Sequence, residues 1–183
     1  MRKTIIILVC LLIISTETNK TPEKAIEVVS VSFTPSPTTI ITKHILQLSP
    51  SLEREKAEKY SLYIYENCKK YKVDFKLVLA VIAVESNFRE EAISRKGAVG
   101  LMQVTTRAAE DTGSKADHKL LQNNLEIGVK YLASLIERFD DLELALAAYN
   151  RGPTRVRKEV NQGKLPKTYA IKVLDRYEEI CNL

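Results

Sequence analysis

A nearly uncharged run that ends in an acid constrains the fold of this chain more than any other feature. The ten residues from Phe75 to Val84 carry one charge, Lys76, and alternate too little for a strand with one face in water. Asp74 stands in front of the run and is suited to cap the start of a helix. The run therefore predicts a helix buried on nearly all sides, which requires a sizeable core around it.

Glu85 continues this helix at its C-terminal end. Its carboxylate would lie against apolar walls and near the negative end of the helix dipole, and both effects raise its pKa. A carboxylic acid that stays protonated near neutral pH can protonate the leaving oxygen of a glycosidic bond. Glu85 is thus a candidate general acid. The alternative is a Glu side chain that points into water. The helix pattern and the acid by themselves favour this alternative, because glutamate is rarely fully buried.

A glycine-containing loop follows the acid. Gly97 and Gly100 lie three residues apart, just before Leu101, Met102 and Gln103. This pattern predicts a tight turn that brings the backbone close to a ligand before a new helix starts. A lone pair of glycines is weak evidence for a binding site, so the other motifs of the chain decide its interpretation.

Four separated motifs occur along the chain, and their order and spacing resemble those of a known family. They are Glu85-Ser86-x-Phe88, then Ser94 with Gly97-Ala98-x-Gly100-Leu101-Met102-Gln103, then Asn124-x-x-x-Gly128-x-x-Tyr131-Leu132, and Ala145-x-x-Ala148-Tyr149-Asn150-x-Gly152-Pro153. From about Leu52 to Tyr177 the chain resembles the catalytic domain of the soluble lytic transglycosylases, which are similar in fold to goose-type lysozyme. The resemblance implies an all-α, globular, lysozyme-like helical domain.

The resemblance also implies a reaction on peptidoglycan without a cofactor. One Glu, here Glu85, would cleave the β-1,4 bond between N-acetylmuramic acid and N-acetylglucosamine. It would protonate the leaving oxygen and then take a proton from the C6 hydroxyl, which gives a 1,6-anhydro product. Most glycosidases use two carboxylates instead, and the nearest other acids, Glu90 and Glu91, are expected to face solvent. A lysozyme-like hydrolase and a non-catalytic peptidoglycan-binding or assembly protein are the alternatives.

The same family resemblance implies a set of substrate-binding residues. Ser94, Gln103 and Tyr149 match positions that bond around the acid or in the glycan groove, and the predicted set also includes Ser86 and Asn150. For three of them a structural role is the alternative. Tyr149 would then be a core aromatic whose hydroxyl bonds the backbone, Ser86 would cap the helix end, and Asn150 would stabilise a turn.

The chain divides into three predicted segments. Residues 1–16 have a charged start and an apolar core too short to span a bilayer as a helix, which predicts a signal peptide; because a clear cleavage pattern is missing, an N-terminal membrane segment stays open. Residues 17–50 are predicted to be a Ser/Thr/Pro-rich linker, a disordered or extended arm, since 16 of the 36 residues from Thr16 to Ser51 are Ser, Thr or Pro. Residues 51–183 are the predicted catalytic domain.

Periodic patterns and turn signals predict the helices of that domain. Besides the helix that ends at Glu85, they are expected from Ser49 or Ser51 to about Tyr71, Thr105 to about Thr112, Asn123 to Phe139, Asp141 to about Asn150, Thr154 to Gln162, and Thr168 to Ile180.

Charge and segment order bear on location and partners. The formal net charge is +5, but the basic residues alternate with acids, as in Glu53 to Lys56, which is typical of a solvated helix face and argues against nucleic acid. We expect an exported protein of the bacterial periplasm or cell envelope, with membrane association through the N-terminus as one option. Its expected partners are peptidoglycan glycan strands and, through the arm, envelope or secretion-apparatus proteins.

Cysteine and histidine usage limits the other chemistry. An oxidising compartment permits Cys68 and Cys181 to form a disulfide, and two inert buried thiols are the alternative. His44 and His118 are the only histidines, and no Cys-x-x-Cys or His-Glu-x-x-His pattern occurs. No metal site is therefore predicted.

Overall fold

The computed structural model describes residues 34–183, and Ser36–Leu183 form one compact unit. The predicted signal peptide or membrane segment and the linker up to residue 33 lie outside the described residues. Eight helices follow within the described range: α1 Pro37–Leu48, α2 Arg54–Tyr71, α3 Phe75–Glu85, α4 Thr106–Asp111, α5 Leu121–Arg138, α6 Leu142–Arg151, α7 Pro153–Asn161 and α8 Thr168–Cys181. This confirms the predicted all-α fold class.

Helix α3 lies at the centre of the core. Every residue from Leu77 to Ile82 is buried, and α1, α2 and α8 pack against the helix. Asp74 caps its first turn, because Oδ1 accepts a hydrogen bond from the Lys76 backbone N–H at 2.9 Å. The predicted cap and the predicted burial are both confirmed. The Tyr177 hydroxyl donates to the other oxygen of Asp74 at 2.7 Å, which joins the start of α3 to α8.

Helix α1 lies inside the segment predicted to be a linker, so that prediction is wrong for residues 37–48. Ile41 and Ile45 are 1% and 0% exposed against the core, and α1 packs on α2. The Ser36 hydroxyl accepts from the Thr39 backbone N–H at 3.2 Å, and Pro37 occupies the first turn. The Ser and Pro content thus supplies a helix start here. The folded unit begins at Ser36, earlier than the predicted boundary at residue 51.

Most predicted helix boundaries agree with the structure within a few residues. Helix α2 starts at Arg54, after a turn over Pro50–Ser51. Thr105 and Asp141 act as caps immediately before α4 and α6, with side chains that accept from Ala108 and Leu144 backbone N–H groups at 3.1 Å each. Short polar side chains at these positions satisfy backbone donors that the helix itself leaves free.

Cys68 and Cys181 are free thiols in different surroundings, so the structure contains no disulfide between them. Cys68 lies in the core on α2 at 6% exposure, whereas Cys181 is exposed at the end of α8. The alternative of two buried thiols therefore holds for Cys68 alone. Burial raises the pKa of Cys68 to about 12, so it remains a protonated thiol. Among the helices of residues 34–183, none combines the length and apolar composition needed to cross a lipid bilayer.

Replacing Ile45 by Ala tests whether α1 belongs to the folded domain. The change leaves a cavity between α1 and the core, so we expect the free energy of unfolding to fall by about 3 kcal/mol in urea or guanidinium titrations. Ile40 is a matched control on the same helix because it is 37% exposed, and Ile40→Ala should cost less than about 1 kcal/mol. Equal small effects of both variants would contradict the assignment of α1 to the core.

Candidate active site

Glu85 is the last residue of α3, and its carboxyl group lies where the core meets a groove. Burial raises the pKa of this carboxyl, and a hydrogen bond from the Tyr169 hydroxyl, which lowers it, offsets part of that effect. The hydroxyl donates to Oε1 at 2.6 Å. The raised pKa expected from the sequence is thus confirmed in direction, with burial as its cause. An acid in this state can hold a proton for delivery to a substrate.

Two tyrosines stand beside this acid. Burial and the neighbouring Glu85 raise the pKa of both Tyr149 and Tyr169 well above the usual range, so both hydroxyls stay neutral donors. Tyr149, on α6, donates to the Met102 backbone carbonyl at 2.9 Å, and its ring lies 5.6 Å from that of Tyr131. Its hydroxyl therefore holds the loop, as the core-aromatic alternative predicts, while Tyr169 contacts the acid.

The backbone turns sharply just after the acid. Asn87 and Phe88 adopt left-handed conformations, with φ of 50° and 60°. Such values are uncommon outside glycine and strained for a bulky side chain such as Phe. Phe88 is only 2% exposed, so burial of its ring holds the turn in place. The strain is thus located two and three residues after Glu85.

Ser86 holds the loop to the helix, and its predicted role in substrate binding is wrong. The side chain is 1% exposed. Its hydroxyl donates to the Leu101 carbonyl at 2.8 Å, and the Ile82 carbonyl lies within 3.3 Å of the same oxygen. A group enclosed in this way has no surface for a ligand. Its hydrogen bonds fix the distance between the end of α3 and the glycine-containing loop.

Helix α5 fixes the other side of that loop through Asn124. The Asn124 Oδ1 accepts from the Met102 backbone N–H at 3.0 Å, and Nδ2 donates to the Val99 carbonyl at 2.8 Å. A Cβ on Gly100 would lie 2.5 Å from Asn124 Nδ2, and a Cβ on Gly128 would lie 2.5 Å from Met102 Sδ. Both glycines are therefore required by close packing. The third sequence motif serves to position the loop.

Ser94 and Gln103 keep hydrogen-bonding capacity for a ligand, as predicted for substrate-binding residues. The Ser94 hydroxyl oxygen accepts from the Ala98 backbone N–H at 3.0 Å, which leaves the hydroxyl hydrogen available. Gln103 Nε2 donates to the carbonyls of Ala92 and Gly100 at 2.9 and 3.0 Å, which leaves Oε1 as an acceptor. Both side chains line the same groove as Glu85. Their role in binding stays a prediction.

The groove has a volume of about 650 Å³, within the usual range for ligand sites. One wall comes from the start of α2 and the turn before it, and the other from the segment that follows Glu85. Its lining includes Leu52, Lys56, Tyr60, Glu85, Ser94 and Gln103. The residues of this lining combine carboxyl, hydroxyl and amide groups with apolar side chains, which suits a ligand rich in hydrogen-bonding groups.

The remaining site predictions have different outcomes. Asn150 is exposed near the end of α6 and is not among the residues that line the groove, so its role in binding stays a prediction. Glu90 is half-buried, lines the groove and accepts a hydrogen bond from the Tyr60 hydroxyl at 2.9 Å, so it is less open to solvent than expected, whereas Glu91 is exposed. No cluster of His, Cys, Asp and Glu suited to a metal ion occurs in the described part of the chain.

Comparison with known proteins identifies the family. The sequence pattern of the family described as the transglycosylase SLT domain matches residues 62–172. The chain belongs to this family. The matched part of the SLT domain includes Glu85, the loop, Tyr149 and Tyr169, and it begins after α1 and after the α2 residues of the groove wall.

Two curated relatives are similar to part of the chain. The chain is 43% identical over 91 residues to membrane-bound lytic murein transglycosylase F of Desulfosudis oleivorans, a match covering 46% of this chain and 20% of that protein. It is 34% identical over 106 residues to membrane-bound lytic murein transglycosylase C of Photorhabdus laumondii, covering 52% and 30%. The chain thus spans less than a third of the length of these relatives.

A solved structure of similar fold is an inactive mutant of lytic transglycosylase Slt from Pseudomonas aeruginosa. The TM-score is 0.57 at 24% sequence identity, and the match covers 65% of this chain and 23% of that one. At this identity the likeness concerns the fold, and it agrees with the helical fold that the sequence resemblance implies.

Tyr169→Phe tests the coupling between α8 and the acid. The Tyr169 hydroxyl stabilises the ionised carboxylate, so its removal should raise the pKa of Glu85 further above its usual value. The measurement is an NMR titration with ¹³C-labelled glutamate. Tyr71→Phe is a control because that hydroxyl bonds Glu126, which does not line the groove. A Glu85 pKa that is unchanged or lower in Tyr169→Phe would contradict the coupling.

Glu85→Gln should make the protein more stable at neutral pH. Below about pH 4 the acid is protonated in both folded and unfolded chains, so burial carries no ionisation cost. As the pH rises, the unfolded chain ionises first because the folded pKa is raised. Wild type therefore loses stability until the pH passes the folded pKa, and Gln avoids that loss. Denaturant titrations at several pH values measure the difference.

Glu126→Gln is the matched control for this experiment. Lys70 holds the pKa of Glu126 below its usual value, so this carboxylate contributes stability above its unfolded pKa and loses it as the pH falls. The Gln variant should accordingly be less stable than wild type at neutral pH, the opposite direction. A Glu85→Gln variant that loses stability at neutral pH would show that burial is not the main influence on the pKa of Glu85.

Proposed function

We propose that this SLT domain is a peptidoglycan lytic transglycosylase in which Glu85 acts first as acid and then as base. The proposed bond is the β-1,4 link between N-acetylmuramic acid and N-acetylglucosamine. The observation that carries the proposal is the state of Glu85, a carboxyl with a burial-raised pKa that lines a polar groove and is held by the Tyr169 hydroxyl. The names of the curated relatives support the same activity.

Glu85 performs both proton transfers in the proposed reaction. The protonated carboxyl donates its proton to the glycosidic oxygen while the bond from that oxygen to C1 of the muramic acid breaks. The resulting carboxylate accepts the proton of the C6 hydroxyl, and O6 of the same sugar bonds to C1. The products are a strand end with a free 4-hydroxyl and a 1,6-anhydro ring, and no water is consumed.

Tyr169 supports both stages of this sequence. Its hydroxyl donates to Oε1 at 2.6 Å, so it restricts the rotation of the carboxyl group and leaves Oε2 available for the proton transfers. The same hydrogen bond stabilises the carboxylate that forms after the first proton transfer. Burial favours the protonated acid before the transfer, and the tyrosine favours the anion after it.

A protein with this activity works where peptidoglycan lies, so we propose a place in the bacterial cell envelope. Both curated relatives are named membrane-bound. Export through residues 1–16, location in the periplasm and contacts with envelope or secretion-apparatus proteins remain predictions from the sequence.

A lysozyme-like hydrolase is the second candidate, because Glu90 places another carboxylate in the groove. A hydrolase of the two-carboxylate kind uses one group as acid and the other to activate water or attack the sugar. Its products carry a reducing end with an oxygen from water. The transglycosylase product carries an anhydro end without that oxygen, so one product analysis separates the two.

The test is to incubate the purified protein with peptidoglycan in ¹⁸O-labelled water and to analyse the products by mass spectrometry. We expect anhydro-ended fragments without label, and a rate at least about 100-fold lower for Glu85→Gln. Glu126→Gln makes the same chemical change outside the groove and should release the same products. Labelled reducing ends would establish the hydrolase, and peptidoglycan binding without any fragments would establish a non-catalytic binding protein.

A further inference from the structure

The groove contains a carboxylate that the proposed reaction does not use. Glu90 is half-buried, and its Oε2 accepts from the Tyr60 hydroxyl at 2.9 Å. Tyr60 belongs to α2 and is 1% exposed, so its ring is fixed in the core. A Glu side chain on a turn ordinarily samples many rotamers, and this hydrogen bond restricts them. The position of the Glu90 carboxylate is therefore determined by α2.

Tyr60 is a permanent donor in this pair. Burial and the adjacent Glu90 carboxylate raise its pKa above the usual range, so the hydroxyl keeps its proton at all working pH values. The bond occupies one lone pair of Oε2. Within residues 34–183, Glu90 has no other side-chain hydrogen bond and no ion pair, so Oε1 keeps its full capacity to accept hydrogen bonds.

Apolar side chains accompany this acceptor. Ile93 lines the groove and is 76% exposed, an unusual state for so large an apolar side chain, and Leu52 lines the groove from the chain segment before α2. A pyranose ring has apolar C–H faces and a rim of hydroxyl and acetamido N–H donors. An acceptor-only group next to exposed apolar surface matches both parts of such a ring.

We propose that Glu90 is a glycan-binding residue of the groove, whose carboxylate accepts hydrogen bonds from the hydroxyl or acetamido donors of a sugar ring that packs on Ile93. Tyr60 is its positioning residue. This inference rests on the proposed function, since it assigns a contact to the same substrate. Tyr60 and Leu52 precede residue 62, where the family match begins, so this wall of the groove belongs to the part of the chain outside that match.

The kinetic test uses glycan strands from which the peptide stems have been removed by an amidase. Glu90→Ala should raise KM about tenfold with kcat within about twofold, the loss of about one hydrogen bond to a charged group. Glu90→Gln keeps the size and one acceptor oxygen, so KM should rise about threefold. Tyr60→Phe frees the carboxylate without removing it and should also raise KM about threefold.

A second tyrosine and glutamate pair supplies the controls. Tyr71 donates to Glu126 at 3.1 Å between α2 and α5, and neither residue lines the groove. Tyr71→Phe and Glu126→Gln make the same chemical changes and should leave KM and kcat unchanged. Thermal unfolding of every variant verifies that the fold is retained.

A binding measurement makes the inference testable without turnover. In the Glu85→Gln background, addition of Glu90→Ala should weaken sedimentation with insoluble peptidoglycan about tenfold. If wild type releases no product but this loss of binding is found, the proposed function fails and the inference holds.

Three results would overturn the inference. The first is unchanged KM and unchanged binding in Glu90→Ala. The second is a loss confined to kcat, which would make Glu90 a participant in the chemistry. The third is a loss seen with stem-bearing peptidoglycan and absent with stem-free strands, which would place the contact on the peptide.

Discussion

Enclosure of α3 is the constraint on which the rest of the structure depends. A helix that is apolar on all sides gains stability only when other elements remove every face from water. Helices α1, α2 and α8 provide that enclosure. Because the apolar run ends one residue before Glu85, the same enclosure reaches the acid and keeps its carboxyl group at the limit of the core. Packing of the core and tuning of the acid thus have one physical origin.

The loop that faces the acid is built by a different principle. Buried polar side chains replace regular secondary structure there: Ser86 fixes the loop to α3, and Asn124 fixes it to α5. Two glycines permit the close approach that these hydrogen bonds require. Buried polar groups are costly unless satisfied, so a loop held in this way has one well-defined conformation. That leaves Ser94 and Gln103 free to face the groove from a rigid support.

Local signals explain what the sequence predicted well. The uncharged run and Asp74 predicted α3 and its cap because both effects act within one or two turns. Helix α1 was missed because a Ser/Thr/Pro-rich composition is typical of linkers, and burial of Ile41 and Ile45 depends on a surface that α2 presents later in the chain.

Long-range contacts explain what the sequence could not predict at the site. Tyr169 and Glu85 are separated by 84 positions, and no local pattern indicates that their side chains meet. The direction of the Ser86 hydroxyl likewise depends on where the Leu101 carbonyl lies after folding. The sequence predicted that Glu90, like Glu91, faces solvent. Its half-buried position depends on a hydrogen bond from Tyr60, which lies on α2.

Helix α8 contacts α3 through hydrogen bonds at both ends. Tyr177 bonds Asp74 at the start of α3, and Tyr169 bonds Glu85 at its last residue. The two helices therefore run in opposite directions, and α8 lies along the full length of the buried helix. Because both ends of α3 are hydrogen-bonded to α8, a displacement of the Glu85 carboxyl group also requires a movement of the helix pair. The orientation of the Glu85 carboxyl group therefore depends on packing in the protein interior, although the residue lines a groove at the surface.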